Sequence, residues 1–247
     1  MKSLLKLTVT NLILYLREPI TAFFIIGFPV MLVLIFGAIF GNQPSQLLGG
    51  RGSMDISMPG YTALILGTVG LLTVTINTSS YREAGILRRF RATPLSPLVY
   101  LTADVLSNQL MTLIGMLCMV IIARLLFHTH FEGNALSVLL GVILGGLSMS
   151  SLGYVIASLA PTARMAQVVG MVLFYPMMFI SGAAYPSELL PASLKRVAEW
   201  LPLTYVTRLL RGLWFGGTWS EYRTEALVLV AILAVATLVA TRIFRWE

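Results

Sequence analysis

Residue types that do chemistry are scarce in this chain, which contains only two histidines and one cysteine. Ser181-Gly182 is similar to the serine motif of an intramembrane protease, but no histidine lies in an apolar run to activate that serine. His128 and His130 are close enough in sequence to bind a metal ion, although two histidines in a polar loop more often bind none. No Gly-Lys pair occurs, so the chain lacks the phosphate-binding loop of an ATPase. An intramembrane enzyme is therefore an alternative without a complete catalytic set, and no metal site is predicted.

One carboxylate could take part in transport chemistry inside a membrane. Asp104, Asn108 and Thr112 follow one another at intervals of four residues, so on a helix they form one polar stripe. Ion-coupled transporters carry protons or ions on embedded carboxylates of this kind. Asp104 lies near the end of its apolar run, where the competing interpretation is a polar contact close to the membrane surface. A secondary transporter is therefore an alternative, and Asn108 and Thr112 are candidate substrate-pathway residues.

The composition shows which solvent surrounds the elements that position these residues. The chain is 57% hydrophobic and 11% charged, with a mean hydropathy of +0.86. Soluble domains contain about 25% charged residues, so less than half of the usual water-facing charge is present. Lipid must therefore surround most of the chain. The net charge of +7 comes from basic residues spread between apolar runs, which argues against nucleic acid as a partner.

Six apolar runs are long enough to cross a bilayer core, which needs about 20 mostly apolar residues per helix. They predict an all-α integral membrane protein that forms one domain over residues 1–247. Residues 3–17 have apolar side chains on one face and predict an interfacial helix before the first span. The six predicted spans cover residues 20–41, 58–79, 99–124, 135–159, 165–185 and 225–243.

The distribution of basic residues predicts the orientation, because short cytoplasmic loops are enriched in lysine and arginine. Ten of the 17 basic residues fall before span one, after spans two and four, and after span six, all on one side. Five others lie in the long connection between spans five and six, where glutamates dilute them. Both termini are therefore predicted to face the cytoplasm, with the protein in the cytoplasmic (inner) membrane of the cell.

The connection between spans two and three has a pattern of its own. On a helix, Ile86, Leu87 and Phe90 form an apolar face. Three arginines cover the remaining surface: Arg88, Arg89 and Arg91. Such a helix would lie on anionic lipid, or it would dock on a soluble partner with Gly85 allowing close approach of the backbone. The residues alone are equally compatible with both interpretations.

Short motifs occur in a fixed order along the chain. They are Arg17-Glu18-Pro19 with Pro29, then residues 83–89 and 92–97, then Phe179-Ile180-Ser181-Gly182 with Pro186, Leu190-Pro191, Leu201-Pro202-Leu203-Thr204 and Arg211-Gly212. Each motif is weak alone. The ordered set, together with the six spans, resembles the membrane subunit of the ABC type-2 exporters, a family that includes drug, polysaccharide and lipid-linked glycan exporters. The resemblance extends over nearly the whole chain.

The resemblance implies a permease that moves a hydrophobic or amphipathic molecule, or a glycan, out of the cell by alternating access. ATP and Mg would be bound by a separate ATP-binding-cassette ATPase subunit, and this chain would need no cofactor of its own. A six-helix unit is half a transporter, so the chain would pair with itself or a closely related permease among membrane lipids. The connection between spans two and three would be the coupling helix that docks on the ATPase. Its candidate residues are Arg82, Glu83, Gly85, Ile86, Leu87, Arg88, Arg89, Phe90 and Arg91.

Span five and the connection after it contain the candidates for the pathway and its outer end. Pro176 would kink the span, and the methionine and aromatic side chains beside it would form an adaptable apolar wall, unless they only pack against neighbouring helices. The candidate pathway residues there are Phe174, Tyr175, Met178 and Phe179. Two short helices are predicted over 191–200 and 202–214, which the resemblance assigns to an outer-leaflet gate and which would otherwise form an interfacial belt. The candidate gate residues are Ser181, Gly182, Pro186 and Pro202.

Overall fold

Helices account for almost all of the computed structural model, which describes residues 2–45, 50–86, 97–184 and 190–243. Among these residues, extended pairing is limited to an isolated bridge between Ser45 and Arg51. The all-α prediction is therefore confirmed. The helices are α1, Lys2–Arg17; α2, residues 19–40; α3, Ser53–Glu83; α4, Pro97–Phe127; α5, Ala135–Leu159; α6, Ala163–Ile180; α7, Ala192–Ala198; α8, Pro202–Trp214; and α9, Arg223–Ile243.

Six of these helices, α2 to α6 and α9, are long and apolar enough to cross a membrane, which confirms the predicted number. The helix α3 begins at Ser53, before the predicted start of its span, because polar residues occupy its first turn. The Asp55 carboxylate accepts a hydrogen bond from the Gly52 N–H at 3.4 Å, and this contact stabilises the helix start where hydropathy is low.

The centre of the bundle is α3. The other helices bury 89% of its most apolar stretch, against 11% for α9, which lies at the periphery. Close packing of α3 on α5 depends on glycine. A methyl group on Gly70 would lie 2.8 Å from the carbonyl oxygen of Met149, and one on Gly153 would overlap the carbonyl oxygen of Gly70. Small residues let helix backbones approach closely in lipid, where no water drives association.

Of the three described helices outside the six spans, α1 and α8 make the larger contacts with the bundle. The helix α1 lies along α4 and buries Tyr15, while its apolar residues Leu5 and Leu16 stay exposed. The helix α8 coincides with the helix predicted over 202–214, and its residue Arg208 is exposed. Its buried apolar face consists of Leu203, Val206, Leu209, Leu210 and Leu213.

The chain reverses direction after every span, so the two ends of the bundle carry different connections. The first end, called the terminal end here, holds α1, the end of α3 and the turn 160–162 between α5 and α6. The opposite end holds the connections 41–52 and 128–134 and the long connection that includes α7 and α8.

Candidate functional site

The end of α3 is the described start of the candidate coupling segment. Its last turn is followed by Ala84 and Gly85, and the Gly85 N–H donates to the Arg82 carbonyl at 2.9 Å. Gly85 has a φ of +67°, in the left-handed region that glycine adopts without strain. A methyl group built on Gly85 meets none of the described residues within 4 Å. In the part of the chain that the structure describes, the reason for glycine is therefore the backbone conformation that ends α3, not a close approach of another element.

Arg82 joins α3 to the end of α5. Its half-buried guanidinium donates one hydrogen bond to the Ala157 carbonyl at 2.8 Å and another to the Ala160 carbonyl. The last carbonyls of a helix have no partner within the helix and form the negative end of its dipole. A cation at this position therefore satisfies two carbonyls at the end of α5 and is attracted by the helix end.

Glu83 joins the same end of α3 to the start of α6. Its carboxylate accepts a hydrogen bond at 3.0 Å from the backbone N–H of Ala163, the first residue of α6. The Thr162 hydroxyl oxygen accepts from the Met165 N–H at 3.2 Å and completes the cap. Two adjacent residues of opposite charge thus bind the two helix ends that flank the turn 160–162. We call this pair of contacts the α3 clamp.

The α3 clamp was missed in the sequence because its partners are 75 to 80 residues away along the chain. Of the candidate coupling residues, the structure brings Arg82 and Glu83 together with the turn 160–162, and Ile86 is half-buried after Gly85. The other candidates lie outside the described residues. They are Leu87, Arg88, Arg89, Phe90 and Arg91.

Asp104 is buried near the terminal end, and hydroxyl and amide donors bind both of its carboxylate oxygens. Tyr15 of α1 donates to Oδ1 at 2.9 Å, and Tyr154 of α5 donates to Oδ2 at 2.5 Å. Asn108 donates to Oδ2 at 3.3 Å through its side-chain amide. The carboxylate therefore fastens α1 and α5 to α4. Among the described residues, the side-chain oxygen of Asn108 has no hydrogen-bond partner.

The polar stripe and the candidate wall on α6 occupy different parts of the bundle. Thr112 is buried and donates to the carbonyl of Asn108 in its own helix at 2.8 Å. Met178 and Phe179 instead line an apolar cavity of about 430 Å³ between α2, α3 and α6. Asn108 and Thr112 do not line this cavity.

The cavity also contains residues that the sequence did not single out. Phe28, Phe36 and Tyr61 face Met178 and Phe179 across it. Their aromatic type was the only signal in the sequence, and apolar runs contain many such residues. The remaining two candidates on α6 differ in exposure. Phe174 is buried against Gly67 of α3, whereas Tyr175 is exposed.

The candidate gate begins where α6 ends. Ser181 is buried and its hydroxyl oxygen accepts from the Ala183 N–H at 3.3 Å, a local turn contact. Gly182 has a φ of +82°, and the turn packs so closely on α3 that a methyl group on Gly60 would lie 2.6 Å from the Ala183 carbonyl oxygen. Pro202 starts α8, which lies against the same part of α3. Pro186 lies outside the described residues.

At the opposite end, charged side chains connect loops that are distant in sequence. Arg51 donates to the Glu132 carboxylate at 2.7 Å, and its guanidinium lies 4.1 Å from the centre of the Phe215 ring. The hydrogen bond from Arg51 lowers the pKa of Glu132, and the same bond raises the pKa of Arg51. Next to this pair, His130 donates its backbone N–H to the Asp55 carboxylate at 2.8 Å. These contacts hold three connections together and could not be inferred from residue types alone.

An all-helical bundle with six membrane-spanning helices defines the chain as a multi-pass membrane protein. Residues 3–215 match the ABC-2 type transporter family. Because this match covers most of the 247 residues, the chain belongs to the ABC-2 type transporter family. The resemblance carried by the ordered motifs is therefore confirmed.

Three relatives show the range of the similarity. Nodulation protein J of Rhizobium leguminosarum bv. viciae is 33% identical over 126 residues, 51% of this chain and 48% of the relative. The inner membrane transport permease YhhJ of Escherichia coli (strain K12) is 20% identical over 195 residues, 75% of this chain and 52% of the relative. The daunorubicin resistance ABC transporter permease protein DrrB1 of Streptomyces coeruleorubidus is 24% identical over 225 residues, 88% of this chain and 76% of the relative.

The chain spans about half the length of the first two of these relatives. Two of the three are named as permeases, which supports a membrane permease and not an enzyme as the class of this protein.

Proposed function

We propose that this chain is the permease subunit of an ATP-driven exporter in the cytoplasmic membrane. The observation that carries the proposal is the match to the ABC-2 type transporter family over residues 3–215. The names of the relatives support it, since one is an inner membrane transport permease and another a permease of a daunorubicin resistance ABC transporter. In this proposal, ATP and Mg are bound by a separate ATPase subunit. The 247 residues of this chain contain no Gly-Lys pair with which to form a phosphate-binding loop.

The terminal end of the bundle faces the cytoplasm in this proposal. The excess of basic residues in the connections at that end supports the orientation, because such residues are enriched on the cytoplasmic side. The ATPase then docks on the segment 82–91, which is the coupling helix of the resemblance.

The α3 clamp supports a route by which ATPase motion reaches the spans. A displacement of the coupling segment pulls on the end of α3, and Arg82 and Glu83 pass it to the ends of α5 and α6. The helix α6 carries Met178 and Phe179 in the wall of the apolar cavity. One hinge-like movement at the terminal end therefore changes the cavity between α2, α3 and α6, as alternating access requires.

The lining of this cavity supports a cargo with a large apolar part. The lining consists of apolar and aromatic side chains, apart from the hydroxyl of Tyr61, and the volume is about 430 Å³. Such a surface accepts hydrophobic or amphipathic molecules, and aromatic faces also stack on sugar rings of a glycan. Two copies of the chain, or this chain and a closely related permease, enclose the pathway between them with one ATPase on each.

Ion-coupled transport is the second candidate, and the buried Asp104 is the observation in its favour. Three donors bind the carboxylate, from Tyr15, Tyr154 and Asn108. Because both carboxylate oxygens accept hydrogen bonds, a structural role in holding three helices together is sufficient to explain why Asp104 is buried. The exporter is therefore the better-supported function.

The experiment that separates the two functions is purification of the tagged full chain from its own membranes in mild detergent. We expect a dimer of the chain with bound ATPase subunits that contain a phosphate-binding loop. Reversing two charges of the coupling segment, Arg88→Glu with Arg89→Glu, should release the ATPase while the chain still inserts. The matched control, Arg196→Glu with Arg223→Glu, changes the same charge at the opposite end and should retain it.

Three results would contradict the proposal. The first is a monomer without ATPase whose transport is driven by a proton gradient. The second is equal ATPase retention in both double variants, which would favour a segment that only lies on anionic lipid. The third is release of the ATPase by the control alone.

A further inference from the structure

A second cavity, here called the α9 slot, lies between α4, α5 and α9 and shares no lining residue with the apolar cavity between α2, α3 and α6. Its volume is about 210 Å³. Thr237 and Thr241 of α9 are exposed where they line it, so the slot opens on the outer side of α9. The other lining residues are Val105, Leu147, Ser150, Ser151, Tyr154, Leu233 and Ala240. Each lining residue is apolar or carries a hydroxyl group.

Two hydroxyl groups of the α9 slot have no hydrogen-bond partner among the described residues. They belong to Ser150, which is only 5% exposed, and to Thr237. Their neighbours differ, since Ser148 and Ser151 donate to backbone carbonyls of α5 at 2.8 and 2.7 Å, and Thr241 donates to a carbonyl of α9 at 2.9 Å. An enclosed hydroxyl without a hydrogen bond is costly in apolar surroundings. Ser150 therefore indicates a missing polar partner inside the slot.

The α9 slot is elongated along the bundle axis. The Ser148 hydroxyl also donates to the Leu229 carbonyl at 2.9 Å, which puts α5 and α9 side by side, and both helices run toward the terminal end. At 1.5 Å per residue, Ser150 lies about 3 Å beyond this contact and Thr237 about 12 Å beyond it. Thr237 is exposed at the mouth of the slot, where a lipid ester group or water can bind it. Ser150 is enclosed at the inner end, where a lipid acyl chain would give it only methylene groups.

A buried carboxylate lies directly behind the wall of the α9 slot. Tyr154 lines the slot, and its hydroxyl donates to Asp104 at 2.5 Å. Asp104 is 4% exposed, and the ion pairs of the described residues do not include it. Ionisable groups inside a membrane usually pair with an opposite charge. Ser150 is one helical turn from Tyr154 on the same face of α5, so a cation at Ser150 is close enough for the carboxylate to attract it where little solvent screens the charges.

We infer that the α9 slot binds a hydrophobic molecule with a primary amine, which enters from the lipid on the outer side of α9. The ammonium group donates to the Ser150 hydroxyl oxygen and is attracted by the Asp104 carboxylate behind Tyr154. The apolar body lies along Leu147 and Leu233. A neutral alcohol would satisfy Ser150 but leave the carboxylate without a cation. A hydrophobic anion would be repelled by the carboxylate.

The test compares two photoreactive probes on the full chain, purified in mild detergent without any ATPase, so its outcome does not depend on the exporter proposal. The probes are 4-phenylbutan-1-amine and 4-phenylbutan-1-ol, each with a diazirine on its ring. They have the same shape and differ in charge. We expect the amine to label peptides covering residues 147–154 and 233–241 in a saturable way. Half-saturation should need about tenfold less amine than alcohol, because hydrogen bonds that involve a charged group are the stronger ones.

Variants of the chain test each contact separately. Asp104→Asn should raise the half-saturating amine concentration about tenfold and leave that of the alcohol unchanged. Ser150→Ala should raise both about fivefold, because both probes lose a hydrogen-bond partner. Leu233→Trp narrows the slot and should abolish saturable labelling by either probe. Two matched controls, Asp55→Asn and Ser137→Ala, remove the same groups outside the slot and should bind both probes as wild type does. Thermal unfolding of each variant shows whether the fold is intact.

Equal half-saturation by the amine and the alcohol in the wild-type chain would overturn the inference, and this comparison requires no variant. Recognition of the charge would also be refuted if Asp104→Asn weakened both probes equally, since that pattern indicates a purely structural role. Wild-type binding in Ser150→Ala would remove the assigned hydrogen bond. Saturable labelling that persists in Leu233→Trp would show that the amine binds elsewhere on the chain.

Discussion

Replacing Glu83 with glutamine removes the charge that binds the N-terminus of α6 and keeps the size of the side chain. The carboxylate is exposed and accepts one hydrogen bond, from the Ala163 N–H at 3.0 Å. A carboxylate at a helix N-terminus contributes about 0.3–1 kcal/mol at an exposed position. We therefore expect a loss near the upper part of this range, since a direct hydrogen bond is weakened as well. About 1 kcal/mol corresponds to a roughly fivefold change in a local opening equilibrium.

Arg82→Gln should have the larger effect, because its half-buried guanidinium binds two carbonyls at the end of α5. Hydrogen bonds to charged groups contribute about 1.5–3 kcal/mol, so local opening should increase by tenfold or more. Amide hydrogen exchange measures both effects. Peptides covering residues 155–166 should exchange about fivefold faster in Glu83→Gln and tenfold or more in Arg82→Gln, while peptides from α8 should exchange at the wild-type rate.

Two matched controls test the reasoning. Glu18→Gln and Arg17→Gln remove exposed charges at the same end that take no part in the α3 clamp, and should leave exchange over 155–166 unchanged. If both clamp variants exchanged at the wild-type rate there, the contacts would not hold the α5–α6 turn, and the route from the coupling segment to α6 would be refuted. In the complete transporter, both clamp variants should hydrolyse more ATP for each molecule exported.

Three other contacts or features give measurable predictions. Asp104→Asn replaces one of the two accepting carboxylate oxygens with an NH2 group, so one of the two tyrosine hydroxyls loses its acceptor. This loss should cost about 1–3 kcal/mol and lower the Tm in detergent by about 5 °C. The pKa of Glu132 is lowered from its ordinary value of 4.5 by the hydrogen bond from Arg51, so this contact is present above that pH and is lost as the pH falls through the lowered pKa. Glu132→Gln should therefore remove an acid-dependent step in tryptophan fluorescence. In a cysteine-free background, Thr129→Cys should react with an impermeant thiol reagent in intact cells, and Arg164→Cys only after permeabilisation.

Each of these predictions has a result that would contradict it. A Tm of Asp104→Asn equal to that of wild type would mean that the carboxylate is not needed to hold α1 and α5. An acid-dependent step that persists in Glu132→Gln would have another titrating group as its origin. External labelling of Arg164→Cys would reverse the orientation and put the coupling segment outside the cell.

Much of the fold could be predicted because lipid imposes a simple rule on the sequence. A span must be apolar along its whole length, so six runs of that kind predict six helices without any knowledge of their neighbours. The helical period of 3.6 residues predicted α8, since its apolar residues recur on one face and Arg208 lies outside that face. The bounds differ most at two places. The helix α3 begins at Ser53 and not at 58, because Asp55 and its polar neighbours hide the first turn from hydropathy. The helix α6 ends at Ile180 and not at 185, because a turn with Gly182 at positive φ follows it.

The candidate site could be predicted only in its position along the chain. Arg82 and Glu83 could be recognised as charged residues at the start of a connection, and the ordered motifs indicated the family of the chain. Which atoms they bind could not be predicted, because residue type does not specify a partner 75 or more residues away. The same holds for Asp104, whose tyrosine donors are 89 and 50 residues away.

The sequence by itself therefore determined the solvent, the number of spans and the family, because these depend on apolar length and on local order of motifs. The tertiary structure decided which polar groups meet. It made α3 the central helix through backbone contact at Gly70, joined Arg82 and Glu83 to two other helix ends, and brought Arg51 and Glu132 together from two loops. The physical reason is that burial in lipid acts on each segment separately, whereas a hydrogen bond or an ion pair forms only when folding brings two distant segments within about 3 Å.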